Sequence, residues 1–325
     1  MDYKIDKKDK AILFELDRNA RSNISRISKR CRLPKHVVRY RMAEMERRQI
    51  IRNYYTVVDL TCLGYSNFRV YWKFMDAPPD TMEEISKYLA NINMLWWVAR
   101  VSSTYDIVCA GWAKNALEVH KFLLGFKKLF RKNIKRESIA FYAYMKHFPK
   151  RYLAEKISGP LEIPYFGKNE LASIDHNDLK ILCLTSQNAR MGVTRISKSM
   201  RLAETAVRER IKKLQEEGVI AGYKVLLDYE KMGMLYFWVH CELRNYKKID
   251  QIEKAISENW NVVYFDRAIG GSDLEFGVQY GNPRELEAYL EELEKTFPDD
   301  IREIEYLTVL KNIRLNYLPD LNLTE

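Results

Sequence analysis

The chain has 325 residues, 47% of them hydrophobic and 30% charged, with 54 Lys and Arg against 44 Asp and Glu for a formal charge of +10. That length points to two to four domains rather than one, and no apolar run reaches the roughly 18 to 20 residues of a bilayer span. Five dispersed cysteines without a CxxC pair, and a charged start with no apolar segment behind it, argue against structural metal, a disulfide framework and a secretory signal; a cytoplasmic location is expected.

In chain order, Asp6 is the expected N-cap of a first helix on which Ile12, Leu13 and Leu16 recur at helical spacing, with Asp9 near the positive end of its dipole. Residues 19–23 break it. Ile24, Ile27 and Cys31 mark a short second helix, and a tight turn around 31–33 leads to a third whose apolar face is Val38, Met42 and Met45. Short helix, tight turn and longer helix make a helix-turn-helix. Residues 50–58 are β-rich and short, as a hairpin wing would be. Beyond them the pattern predicts strand 65–75, helix 82–91, strands 95–101 and 107–112, helix 116–130 and strand 139–144, a ferredoxin-like βαββαβ unit with one sheet face left to be covered.

The chain then repeats itself. Residues 5–64 align with 174–233 at a constant offset of 169, with identities at 21 of 60 positions. A second βαββαβ unit follows, with strand 235–243, helix 249–258, strands 262–269 and 274–280, helix 284–297 and strand 301–309. The expected fold is therefore α+β: helix-turn-helix domains at 1–62 and 173–231, βαββαβ domains at 63–148 and 232–325, and a linker at 149–172 carrying Pro149, Gly159, Pro160, Pro164 and Gly167. Net charge is +8 over 1–60, +8 over 61–169, +2 over 170–229 and −8 over 230–325. The first copy holds the excess.

Residues 18–52 contain 12 Lys or Arg and two acids, which suits the backbone of a nucleic-acid duplex. On the third helix Lys35, His36, Arg39, Tyr40 and Arg47 lie off the apolar face, and Arg39 has the planar fork that reads guanine. Arg21 and Arg26 are expected at phosphates. The second-copy counterparts are Arg190, Arg195, Thr205 and Arg208; Glu204 and Glu209 also stand there, so the two helices cannot read the same sequence. A solvated face or a protein-docking surface is the alternative, stronger for the second copy. The partner expected is double-stranded DNA, with no catalytic motif, metal or cofactor.

These residues resemble a known family. Ile5-Asp6, Asp9, Ile12-Leu13, Asn19-Ala20-Arg21, Leu33, Val38, Arg41, Ile50-Ile51, Asp59 and Gly64, with their second-copy repeats, look like the winged-helix domain of the leucine-responsive regulatory protein and asparagine-synthesis regulator (Lrp/AsnC) family, here as an archaeal-type tandem duplication. The family commonly has serine where this chain has Pro34 and Ala203, so side-chain capping of the third helix is expected to be absent. The resemblance implies dimerisation through sheet faces, which here could be met within one chain as a pseudo-dimer or between chains as a homo-oligomer, and an amino acid or related small effector. It places the effector at the turn Gly271, Ser272 and Asp273; the first-copy turn at 102–106 has no glycine. Two other readings stay open: an enzyme like siroheme decarboxylase, whose paired subunits share a similar scaffold but carry a histidine where this chain reads Trp97-Val98-Ala99-Arg100 and Tyr264-Phe265-Asp266-Arg267, and a ligand sensor with reduced DNA binding.

Overall fold

A computed structural model describes residues 3–157, 161, 164–167, 170–316 and 318. The first copy runs α1 (Lys7–Arg18), α2 (Ile24–Cys31), α3 (Lys35–Arg47), β1 (Ile51–Val58), β2 (Ser66–Phe74), α4 (Pro79–Ala90), β3 (Leu95–Ser102), β4 (Ile107–Ala113), α5 (Ala116–Phe130) and β5 (Ile134–His147). After a short β6 (Tyr165–Phe166) the second repeats it as α6 (His176–Gln187), α7 (Val193–Met200), α8 (Glu204–Glu216), β7 (Ile220–Leu227), β8 (Leu235–Leu243), α9 (Ile249–Glu258), β9 (Val262–Ile269), β10 (Leu274–Tyr280), α10 (Pro283–Thr296) and β11 (Ile301–Leu315). No helix among the described residues is long and apolar enough to cross a membrane.

The duplication extends to individual hydrogen bonds. Asp6 and Asp9 form a capping box on α1, and Asp175 and Asp178 form the same box on α6. Arg41 donates to both members of the first box at 2.8 Å, and Arg210 to both members of the second at 2.7 and 2.8 Å. These arginines pin the third helix of each copy to the start of its first. As expected from Pro34 and Ala203, neither α3 nor α8 has a side-chain N-cap.

The wings differ from the expectation. Residues 50–58 do not fold into a hairpin of their own; β1 pairs antiparallel with β7 of the other copy in a two-stranded ribbon. The reason is reciprocal satisfaction of loop amides: Ala20 N–H donates to the Tyr223 carbonyl at 2.9 Å and Ala189 N–H to the Tyr54 carbonyl at 2.8 Å, so each copy's ribbon strand receives the other's loop.

Each βαββαβ unit buries one sheet face under its own helices. Phe68, Val70, Trp72 and Phe74 of β2 pack on α4 and α5, and Phe237, Val239, Cys241 and Leu243 of β8 on α9 and α10. The alternate residues, Arg69 and Tyr71 or Trp238 and His240, point the other way, as a period of two requires. The two inner faces cover each other. Strand order is β2-β4-β3-β11-β8-β10-β9-β5-β6, and an added β2–β5 pairing closes the first eight of these into a barrel. Closure depends on β5 and β11 running past the expected ends at 144 and 309. The first half of each pairs within its own unit (Phe68 with Phe141, Phe237 with Thr308), and the second half pairs across (Arg267 with Tyr144, Arg100 with Lys311).

The opposite charges of 61–169 and 230–325 meet at only a few points of this junction. Arg69 pairs with Asp266 and Glu275, and Lys146 with Glu253. Most of the acids of α10, such as Glu285, Glu287, Glu291 and Glu292, face outward instead. The segment 149–172 is more than a linker: Lys150, Leu153, Pro164 and Phe166 are buried, and β6 extends the sheet beside β5. Gly159 and Pro160 lie outside the described residues.

Close packing in the first unit sets a stability test. A Cβ added at Gly111 would lie 2.6 Å from Cζ of Phe68 and 3.0 Å from Cδ2 of Leu95. Gly111→Ala is expected to lower unfolding free energy by about 1 to 3 kcal/mol, read from urea denaturation. Unchanged stability would show that the β2–β4 contact is looser than these distances.

Candidate nucleic-acid interface

The helix-turn-helix is set by local signals. Asn23 accepts from Arg26 N–H at 2.8 Å to start α2, and Arg32 ends it in the left-handed conformation at φ 54°. Ser28 Oγ donates to the Leu33 carbonyl at 2.6 Å across the turn. Val38, Met42 and Met45 then anchor α3 in the core. The opposite side carries Lys35, His36, Arg39, Tyr40 and Arg47, all exposed, with Tyr40 71% accessible.

Lys35 and Arg39 make no ion pair among the described residues, so their charges face solvent undiminished. Arg47 differs. It grips Glu44 at 2.7 and 2.9 Å, with Arg48 on the same carboxylate at 2.5 Å, and the two guanidiniums hold Glu44 down to about 2. Arg26 is exposed at the start of α2, and Lys29 and Arg32, not singled out from sequence, are exposed beside it. Their signal was the density of basic residues.

In the second copy Thr205 and Arg208 are exposed on α8 and Arg195 on α7. Arg208 leans on Glu204 at 3.3 Å. The second face therefore offers less free positive charge.

Two expected phosphate ligands are elsewhere. The Arg190 guanidinium lies 5.2 Å from the Tyr54 ring centre and donates to the Ala20 and Ser22 carbonyls at 2.5 and 3.0 Å; Arg21 lies 5.2 Å from the Tyr223 ring centre and is half-buried. Both hold the two helix-turn-helix units together rather than face a duplex. The sequence contained the clue, since both halves of the contact are preserved at offset 169: Ala20-Arg21 repeats as Ala189-Arg190, and Tyr54 repeats as Tyr223. Arg190→Ala is expected to lower the melting temperature by several degrees through loss of these hydrogen bonds. A scanning-calorimetry trace matching wild type would return Arg190 to the solvent-facing set.

At the second-copy turn, Gly270 and Gly271 have φ of 79° and 69° and pack against Ile139 and Ala140 of β5. Ser272 is buried. Asp273 accepts from Leu243 N–H at 2.7 Å and from the Tyr246 hydroxyl. Asp106 does the equivalent in the first copy, accepting from Phe74 N–H and Lys73 Nζ at 2.8 Å. The aspartate thus ties the turn to the end of the unit's first strand in both copies, with or without glycine. An effector there would have to displace these bonds.

Two histidines are buried beside tyrosines: the ring of His147 stacks on Tyr264 at 4.1 Å, and that of His240 meets Tyr71 edge-on at 4.9 Å. Burial pushes both below the ordinary imidazole range.

Two helix-turn-helix units, joined through the β1–β7 ribbon and carried on a closed β-barrel, define a tandem helix-turn-helix protein. A winged helix-turn-helix DNA-binding family model matches residues 5–52 and 174–221. The chain is 35% identical over 101 residues to an uncharacterized HTH-type transcriptional regulator of Pyrococcus furiosus, covering 68% of that protein and 31% of this one. It is 31% identical over 135 residues to the HTH-type transcriptional regulator LysM of Sulfurisphaera tokodaii, covering 89% and 42%. The chain belongs to the Lrp/AsnC family of HTH-type transcriptional regulators. It spans about half the length, 52%, of another relative, the proline dehydrogenase transcriptional activator of Rhizobium radiobacter, at 38% identity over 85 residues that make up 26% of this chain. Among solved structures, the siroheme decarboxylase NirDL aligns over 97% of this chain and 95% of its own with a TM-score of 0.64 and 12% identity, a likeness of fold.

Proposed function

We propose that the protein is a sequence-specific double-stranded DNA-binding transcriptional regulator, not an enzyme, in which one polypeptide supplies both readers of an asymmetric operator. The carrying observation is α3: an apolar face locked by Val38, Met42 and Met45 leaves Lys35, His36, Arg39 and Tyr40 together on an open cationic surface. Arg26, Arg47, Arg195, Thr205 and Arg208 complete the interface in this reading. A single chain acts as the equivalent of a dimer because its two βαββαβ units already cover each other. A small effector, an amino acid or a relative of one, modulates binding. Relatives named as regulators support the reading.

The test is duplex binding by fluorescence anisotropy, on sites selected from a random pool, as a function of salt. Each phosphate contact contributes a slope of about −0.9 in log K against log salt. Arg39→Ala is expected to relax base preference by about 1 to 3 kcal/mol at one position, and Arg26→Ala to weaken all sequences alike while reducing the slope by about 1. If neither variant changes binding, α3 is not the reader. Light scattering that finds only dimers, with units split at 149–172 pairing like with like, would remove the single-chain operator.

A further inference from the structure

The third helices of the two copies share a frame and differ in what they present. Val207, Ile211 and Leu214 bury one face of α8, and Arg210 fastens the helix to Asp175 and Asp178 at 2.7 and 2.8 Å, so its rotation is fixed. At about 100° per residue, the line opposite that buried face runs through Thr205, Glu209, Lys212 and Glu216. On α3 the same places, 169 residues earlier, hold His36, Tyr40, Ala43 and Arg47. A carboxylate therefore stands in the middle of the second reading face, where the first has a tyrosine.

Its neighbours do not neutralise it. Glu204 is taken by Arg208 at 3.3 Å, Glu216 by Lys212 at 3.4 Å and Glu217 by Lys213 at 3.7 Å. Glu209 is exposed and makes no ion pair among the described residues. An unpaired anion facing a polyanionic duplex weakens attraction to every sequence alike unless it meets a donor there. In the major groove two bases offer an amino group, cytosine at N4 and adenine at N6. Adenine sets its N7 acceptor beside that amino group, guanine shows N7 and O6, and thymine shows O4, and each of these acceptors repels a carboxylate. Cytosine alone presents a donor without an acceptor of its own beside it.

We propose that Glu209 is a specificity-determining residue that selects cytosine in the half-site under α8. It acts by repelling the acceptors of the other bases as much as by accepting from cytosine N4–H. The two helix-turn-helix units then have different tasks. Residues 18–52 carry 12 Lys or Arg against two acids, and the equivalent residues 187–221 carry eight against four, so the first unit supplies most of the attraction to phosphates. The second lowers overall affinity and sharpens the choice of sequence. This role rests on the DNA-binding reading above and adds to it the base that one residue demands.

Fluorescence anisotropy of the full chain on a duplex selected from a random pool, with each base pair varied in turn, tests it. Wild type is expected to require a cytosine about one helical turn from the base pair that Arg39→Ala relaxes, each other base there weakening binding by roughly 5- to 150-fold. Glu209→Ala should make the four bases equivalent at that position. Glu209→Gln should move the preference to adenine, whose N6 and N7 an amide meets together. Both variants should tighten binding to a duplex of unrelated sequence about twofold, because a like charge has gone. Transfer of the preference from cytosine to adenine is a change that a merely structural role cannot produce. If both variants tighten every duplex equally and keep every base preference, Glu209 is a solvated charge and selects nothing. A wild-type preference for adenine, guanine or thymine at the altered position overturns the choice of cytosine. If Arg39→Ala relaxes a base while neither Glu209 variant alters any, the DNA-binding reading stands and the role of Glu209 alone is lost. Failure of the wild-type chain to bind any duplex removes both.

Discussion

Arg69→Met is expected to lower unfolding free energy by about 3 to 5 kcal/mol at pH 8, more than any other single replacement in the barrel, because it strands two buried carboxylates without their cation. Arg69 sits between the two sheets, 2.6 Å from Asp266 Oδ2 and 3.1 Å from Glu275 Oε2, with its guanidinium 4.0 Å from the Trp238 ring centre and 4.3 Å from that of Tyr142. The acids are not equivalent. Glu275 Oε2 also accepts from Tyr71 at 2.5 Å, Tyr142 at 2.6 Å and Trp238 at 2.9 Å, donors that keep it ionised. Among the described residues Asp266 has Arg69 alone. Burial pushes it up to about 7 against the pull of Arg69, and the Glu275 charge adds to the rise.

The pH dependence follows in sign. A carboxyl whose folded pKa lies above its unfolded value near 3.8 gives its full stabilisation below that value and loses it as pH rises through about 7. Asp266→Asn, which mimics the protonated acid, is therefore expected to match wild type to within about 1 kcal/mol at pH 5.5 and to surpass it at pH 8. Arg69→Met should be less harmful at pH 5.5, where Asp266 can take a proton. Urea unfolding at the two pH values decides: an Arg69→Met protein as stable as wild type at pH 8 would mean the trio is hydrated.

This network explains a limit of sequence reading. The helix-turn-helix was legible because each signal is local: apolar residues at helical spacing, Asp6 and Asp175 as caps, and the gapless repeat. The βαββαβ order was legible for the same reason, as alternating strands between helices. What joins the copies was not. The polar inner series Asn67, Arg69, Tyr71 on β2 looks like a solvent face, and only the fold shows it opposed to Asp266 and Glu275, some two hundred residues on. The overrun of β5 and β11 was missed because residues 145–147 and 310–315 mix charged and apolar side chains, as a strand must when one end faces helices and the other a ribbon. Arg21 and Arg190 carry the charge of phosphate ligands; their tyrosine partners lie on the other copy.

Asp17→Ala is expected to cost nearly as much, about 3 to 5 kcal/mol, and to loosen the reading head as well. Asp17 is fully buried on α1 and receives Lys150 Nζ at 2.8 Å, Lys150 N–H at 2.7 Å and Lys224 Nζ at 3.3 Å. One carboxylate thus gathers the first helix-turn-helix, the ribbon strand of the second and the connecting segment. The second copy has Ser186 where the first has Asp17, so no equivalent clamp backs it up. Burial brings Lys224 down to about 8 even with Asp17 present. A lysine whose folded pKa lies below its unfolded value near 10.5 penalises folding at low pH, so its contribution is fully present above 10.5 and is lost as pH falls through about 8. Removing Asp17 deepens that penalty, and Lys224→Met in the same chain should recover part of it by deleting the unpaired charge. Because α3 and α8 are held in register through α1 and the β1–β7 ribbon, Asp17→Ala should weaken binding to a full operator while leaving binding to a half-site nearly unchanged. Equal losses on both duplexes would show that the clamp serves folding only, and that the spacing of the two readers is fixed elsewhere, by the reciprocal arginine and tyrosine contacts.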